Sequence, residues 1–173
     1  MLVIVGSNSS TSINEQLTKA VLKELDLKNE FIDLKSLNIP MFSEDLERDI
    51  KSPEGILFLL EKLATHQHIF IATNEHNGTV SAFLKNIFDW LSRIQLKFLA
   101  DKKVFILSTS NGKRGGLGAN ETLQKLVTRF GCEVFEYYAF SAFSDNFDIN
   151  NQKITNETYL QELENKLNTL LKA

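Results

Sequence analysis

Between Gly6 and Asn14 the chain reads G-S-N-S-S-T-S-I-N, which puts hydroxyls at Ser7, Ser9, Ser10, Thr11 and Ser12 directly after the apolar run Leu2 to Val5. A helix N-terminus presents unpaired backbone N–H groups and about +0.5 elementary charge, so hydroxyls gathered there can hold a phosphate without any cation. The same residues have a plainer use, with one serine capping the helix and the others filling the loop. The bend is neither a dinucleotide fingerprint nor a Walker loop: Gly6 stands alone, and no Lys-Ser/Thr pair follows.

Two further polar stretches follow apolar runs. T-N-E-H-N-G-T, residues 73–79, comes after His68 to Ala72, and Asn77-Gly78 within it is a turn signal in its own right. Glu75, His76 and Asn77 offer backbone and side-chain groups suited to the hydrogen-bonding edge of a flat polar ring. S-T-S-N-G-K-R-G-G, residues 108–116, comes after Val104 to Leu107, and its three glycines allow close approach of backbone to a ligand. Lys113 and Arg114 in this stretch suit either the second phosphate of NADPH or an exposed turn.

Other reactive residue types have structural uses. Cys132 stands between a helix-ending glycine and a strand, where it serves as a small buried apolar residue. His66 and His68 lack partners at metal-ligand spacing, and no metal site is expected. Lys85 and Asp89 form an i,i+4 helix pair worth about 0.3 to 0.5 kcal/mol.

The elements that must position the three loops alternate. Leu2 to Val5 predicts a strand, and Ile13, Leu17, Ala20, Val21 and Leu25 predict a helix from about Ser12. Phe31, Ile32 and Leu34 mark a second strand. Ser52-Pro53 reads as a cap and first-turn proline before a helix carrying Ile56, Leu60 and Leu63. His68 to Ala72 is a third strand, Ser81 to Ser92 a third helix and Val104 to Leu107 a fourth strand. A helix from Ala119 to Phe130 ends at Gly131, Val134 to Phe140 is a fifth strand, and Leu160, Leu163, Leu167 and Leu170 line a last helix. Short continuous apolar strands alternating with helices predict an α/β domain of flavodoxin-like type. It is a doubly wound, five-stranded parallel sheet in the order 2-1-3-4-5 with helices on both faces. Ligands in such folds sit at the carboxyl ends of the strands near the order switch, where the three loops would meet. The segment from about Ser141 to Ile154 receives no role.

At 173 residues, with 43% apolar and 24% charged content, one domain spanning 1–173 is expected. A net charge of -3 implies no strongly basic surface, so nucleic acid is not an expected partner, while local basic spots stay open. No apolar run approaches the roughly 20 residues that cross a bilayer, and no secretory leader is expected, so no membrane partner is either. A single cysteine fits a reducing, cytoplasmic setting.

Four segments together resemble the NADPH-dependent FMN reductase family. G-S-N-S-S-T-S-I-N is similar to its opening G-S-x-R-x-x-S-x-N. N-E-H-N-G-T-V-S-A-F-L-K-N-I-F-D-W-L-S-R is similar to its P-E-Y-N-x-x-x-x-x-x-L-K-N-x-x-D-W-x-S-R. D-L-K-S-L-N-I-P-M-F-S-E-D-L and S-T-S-N-G-K-R-G-G match its stretch after strand two and its third loop, so the likeness runs over about residues 2 to 131. The resemblance implies FMN bound non-covalently, with Ser7, Ser9, Ser12, Ile13 and Asn14 around the phosphate. It places Glu75, His76, Asn77 and Gly78 along the isoalloxazine and ribityl region, with Ser110 and Gly112 closing the other side. It implies an oxidoreductase that passes hydride from NADPH or NADH to the flavin and electrons on to a small-molecule acceptor, such as a quinone or free flavin. No residue then need be a catalytic acid or nucleophile, although His76 can stack on or donate to the ring. A homodimer or homotetramer is implied, and Phe83, Leu84, Ile87, Phe88, Trp90 and Leu91 point to a subunit contact on the third helix. Ser9 stands where the family has arginine, Asn74 where it has proline and His76 where it has tyrosine. The missing arginine removes a charge-assisted contact. Two rival readings remain: a flavodoxin-type electron carrier without nicotinamide turnover, and a non-catalytic dimeric binding protein that has lost flavin.

Overall fold

Apolar side chains on both faces of each central strand call for a parallel sheet covered on two sides. The computed structural model describes residues 1–173. Strand β1 (Leu2–Val5) leads into helix α1 (Ile13–Glu24), followed by β2 (Glu30–Ile32), a short helix α2 (Glu44–Ile50) and α3 (Glu54–Thr65). Next come β3 (His68–Thr73), a hairpin of β4 (Glu75–His76) and β5 (Thr79–Val80), and α4 (Ala82–Ile94). Then follow β6 (Lys103–Thr109), α5 (Leu117–Arg129), β7 (Val134–Phe140), a single-turn α6 (Phe143–Asn146), a hairpin of β8 (Phe147–Asp148) and β9 (Lys153–Ile154), and α7 (Glu157–Lys172).

The main sheet has five parallel strands in the order β2-β1-β3-β6-β7, which is the flavodoxin-like 2-1-3-4-5 arrangement. Leu2 pairs with Ile69, Ile69 with Val104 and Val104 with Phe135, so the strand ends on either side of the order switch are level. Leu2, Ile4, Ile69, Ile71, Val104 and Ile106 face a core closed by α3, α4 and α5. Val3, Val5, Phe70, Ala72, Phe105 and Leu107 face the opposite core, closed by α1 and α7.

Local differences from expectation have identifiable causes. Leu34 belongs to a 3₁₀ turn, where the side chain of Asp33 accepts from Lys35 N–H and so ends the strand at Ile32. Pro53 rather than Ser52 occupies the position before α3, and that helix has no side-chain cap. Helix α2 has no buried residue, which is why apolar periodicity did not mark it. The stretch after Ser141 roofs the second core: Phe143, Phe147 and Ile154 are buried, and the Phe143 and Phe147 rings stack with centroids 4.5 Å apart.

The apolar surface of α4 is taken up by the chain itself. Leu84, Ile87, Phe88, Trp90 and Leu91 are buried, leaving only Phe83 partly covered, so these residues do not form the subunit contact expected of them. Phe88 packs edge-on against Phe98 and Phe130. Trp90 Nε1 and Asn86 Nδ2 both donate to Pro40 O at 2.9 Å, and Asn86 Oδ1 accepts from Phe42 N at 2.7 Å. The L-K-N-x-x-D-W segment therefore anchors the connection after β2, with Phe42 set edge-on against Trp90.

Candidate functional site

The bend after β1 is fixed by close approach. A Cβ on Gly6 would stand 2.6 to 2.9 Å from the Leu84 side chain, so only glycine lets α4 lie against the strand end. Ser81 holds the other side of this junction: its hydroxyl donates to Gly6 O at 2.6 Å and accepts from Leu84 N at 3.1 Å, capping α4. Ser12 caps α1 by accepting from Glu15 N at 3.3 Å. The N–H groups of Ile13 and Asn14 have no partner within the chain and stand at the positive end of α1.

Hydroxyls and polar backbone line the cleft beside this helix end. Ser7, Ser9, Thr11, Ser12, Ile13 and Asn14 come from the first loop, Asn74, Glu75 and His76 from the second, and Thr109, Ser110 and Asn111 from the third. Its volume is about 280 Å³, and no lysine or arginine is in its wall. Ser7 and Ser12 are buried, whereas Ser9 and Thr11 are exposed and share a hydroxyl contact of 3.3 Å. Glu15, in the first turn of α1, is where a negative charge would repel an anion. Lys19 and Lys35 bracket its carboxylate at 2.6 and 2.8 Å. Burial alone would push the Glu15 carboxyl up, but the two ammonium groups outweigh it and hold it below its ordinary value.

Two polar side chains tie the loops together. Asn14 Oδ1 accepts from Thr109 N at 2.8 Å, and Asn14 Nδ2 donates to Thr109 O at 3.3 Å, which joins the first loop to the third. Its side chain is thus spent on loop geometry, leaving its backbone N–H for a ligand. Glu75 Oε2 accepts from Ala119 N at 3.1 Å, docking the second loop on the N-terminus of α5. The second loop is a two-residue hairpin: Asn77 and Gly78, at φ 52° and 79°, make the left-handed pair that a tight hairpin with natural twist requires. His76 Nε2 lies 2.9 Å from Asn74 Nδ2, while Asn74 Oδ1 is buried without a partner.

Of the residues singled out from sequence, the structure gathers Ser7, Ser9, Ser12, Ile13, Asn14, Glu75, His76 and Ser110 on one cleft. Asn77, Gly78 and Gly112 stand outside its lining; Asn77 borders a neighbouring groove shared with α4 and α5. Thr11, one of the clustered hydroxyls, also lines the cleft, and Asn74, Thr109 and Asn111 join it with membership of the second and third loops as their only signal. Cys132 is buried, with its thiol pushed up to about 11 by burial, as suits an inert core residue. No group of three or more His, Cys, Asp or Glu side chains is placed to hold a metal ion.

A polar, hydroxyl-lined cleft at the order switch of a 2-1-3-4-5 sheet invites comparison with known proteins. The sequence profile described as NADPH-dependent FMN reductase matches residues 1–145. An uncharacterized protein of Mycoplasma pneumoniae is 35% identical over 152 residues, covering 85% of this chain and 90% of the relative. A quinone reductase of Escherichia coli is 29% identical over 128 residues, covering 73% of this chain and 68% of the relative. Among solved structures, the flavoenzyme NAD(P)H:(acceptor) oxidoreductase FerB of Paracoccus denitrificans superposes with a TM-score of 0.79 at 22% identity, covering 99% of this chain and 94% of that one. With 145 of 173 positions matched by the profile, this chain belongs to the NADPH-dependent FMN reductase family, enzymes of the NAD(P)H oxidoreductase type with FMN as cofactor.

Proposed function

We propose that residues 1–173 act as one FMN-binding domain that transfers hydride from NADPH or NADH and hands the electrons to a quinone, a free flavin or a similar small acceptor. The supporting observation is the cationless, hydroxyl-rich wall at the N-terminus of α1, with two N–H groups unpaired. The residues present fit FMN. A phosphate monoester suits the Ser7 and Ser12 hydroxyls and the free N–H groups of Ile13 and Asn14. Asn74 keeps an acceptor oxygen buried and unpaired at the same wall, so hydrogen-bonding capacity there exceeds what the chain itself uses.

FMN supplies the redox chemistry when bound. The chain binds and orients. Ser7, Ser9, Ser12, Ile13 and the Asn14 N–H hold the phosphate end, and Lys19 and Lys35 keep the Glu15 charge from repelling it. The hairpin carrying Glu75, His76, Asn77 and Gly78 sets the opposite wall, with Glu75 fixed on α5. Ser110 closes the third side, and Gly112 holds the turn behind it. Asn74 orients the His76 ring through its 2.9 Å contact, keeping that side chain at the cleft mouth. The proposed assembly is a homodimer or homotetramer, on family membership alone. No helix is long and apolar enough to cross a membrane.

The deciding experiment adds FMN to the purified protein and then NADPH or NADH under anaerobic conditions, following the visible flavin band. Rapid bleaching, and recovery with a quinone or free flavin, is the expected result. Binding without bleaching would point to an electron carrier, and absence of FMN binding to a protein that has lost flavin.

A further inference from the structure

The third loop holds two cations that the site above does not use. Lys113 and Arg114 lie between Gly112 and Gly115, and Gly115 N donates to Gly112 O at 3.1 Å, so the two cations are the central pair of a β-turn. The turn is fastened from behind. Gly112 O also accepts from Ala142 N at 3.0 Å, Phe143 N donates to Ser110 O at 3.1 Å, and Ser144 Oγ donates to Asn111 Oδ1 at 2.8 Å. A Cβ on Gly115 would stand 2.7 Å from the Phe140 backbone, so the turn is pressed against the end of β7.

Both cationic side chains are exposed, and neither lies within salt-bridge distance of a carboxylate. Lys19 and Lys35, by contrast, are both committed to Glu15. The turn begins one residue after Asn111, which lines the cleft, and leads directly into α5, whose N-terminus adds partial positive charge. A held turn that carries a guanidinium fork and an ammonium point charge on its two central residues offers chemistry for a phosphomonoester dianion in open water. The phosphate at the serine bend is met by hydroxyls and backbone, so it makes no claim on this pair.

We propose that Lys113 and Arg114 form a second anion subsite that takes the 2′-phosphate of NADPH and so makes the enzyme prefer NADPH to NADH. This rests on reading the chain as a nicotinamide-dependent reductase. The 5′-phosphate of a free FMN arriving as acceptor has the same chemistry, and the test separates the two sources.

The test compares the wild type with a Lys113→Ala/Arg114→Ala variant, both FMN-loaded. Calorimetric titration with 2′,5′-ADP and with 5′-AMP should show about tenfold tighter binding of the former in the wild type, and equal binding in the variant. In steady-state assays the KM for NADPH should rise about tenfold in the variant while the KM for NADH stays within about twofold. With FMN and riboflavin as acceptors, the ratio of their KM values should not move. A variant that keeps the 2′,5′-ADP preference overturns the proposal, as does one that loses only the FMN-over-riboflavin preference, which would assign the turn to the acceptor. If neither nicotinamide bleaches the flavin, the functional reading falls, and the nucleotide titration still decides the subsite.

Discussion

Asn14 closes both arms of its side-chain amide on the backbone of one residue, Thr109, ninety-five positions away in sequence, accepting at 2.8 Å and donating at 3.3 Å. The contact is buried, and it fixes the distance between the serine bend and the third loop. An Asn14→Ala variant leaves the Thr109 N–H and carbonyl unpaired, at a cost of about 1–3 kcal/mol each for buried groups. We expect a lower thermal midpoint together with about tenfold weaker FMN binding, read by flavin fluorescence titration. An Asn14→Asp variant keeps the acceptor arm but adds negative charge beside the proposed phosphate site, so its FMN affinity should fall further than its stability.

Gly6 and Leu84 share one space. Gly6→Ala should destabilise by about 1–3 kcal/mol through overpacking. Leu84→Ala alone should cost about 2–5 kcal/mol, because Leu84 is fully buried. The double variant should cost less than the sum of the two, since the methyl added at Gly6 occupies part of the space vacated at Leu84. Urea unfolding of all four proteins measures this coupling, and strict additivity would contradict it.

Ser9 is exposed on the cleft wall, at the position where the resemblance leads one to expect arginine. Ser9→Arg would place a guanidinium at the proposed phosphate site, whose wall otherwise offers only hydroxyls and N–H groups. FMN should bind about tenfold tighter, with the gain shrinking as salt rises. Equal affinities at low ionic strength would count against the placement of the phosphate at this bend.

Glu15 couples acid stability to the same helix end. Its carboxyl is held below its ordinary value despite burial, because Lys19 and Lys35 favour the charged form. A carboxyl lowered on folding contributes stability that is present above its unfolded value, about 4.3, and lost as pH falls through the folded one. The thermal midpoint of the wild type should therefore drop more between pH 6 and about pH 3.5 than that of Glu15→Gln, with the difference confined to the acid side.

Cys132 should resist alkylation. Burial pushes its thiol up to about 11, and its sulfur lies 3.2 Å from Val134 O. Iodoacetamide at pH 7.5 should leave the native protein unmodified over hours and label it rapidly in denaturant. Fast labelling of the folded protein would show that the site opens.

Much of this architecture is legible in the order of residues. Leu2 to Val5, Ile69 to Ala72 and Val104 to Leu107 are apolar on consecutive positions, as a strand covered on both faces requires, and Asn77-Gly78 writes a two-residue hairpin turn into the chain. The three loops could accordingly be named in advance. Residues without such local signals were not legible. Helix α2 buries nothing and so carries no apolar stripe, and Phe143, Phe147 and Ile154 become core only by packing with the apolar faces of α1 and α7.

The sequence by itself determined the alternation of strands and helices, the hydroxyl-rich bend and the absence of metal-ligand spacing, because each depends on neighbours within a few positions. Tertiary structure alone decided the use of the Asn14 side chain, which has no partner within a few positions of the chain and braces the first loop to the third in the fold. It also decided that the apolar faces of α4 close the chain's own core. The physical reason is common to both: a side chain's partner is set by what long-range packing brings within about 3 Å, and chain spacing carries no record of that contact.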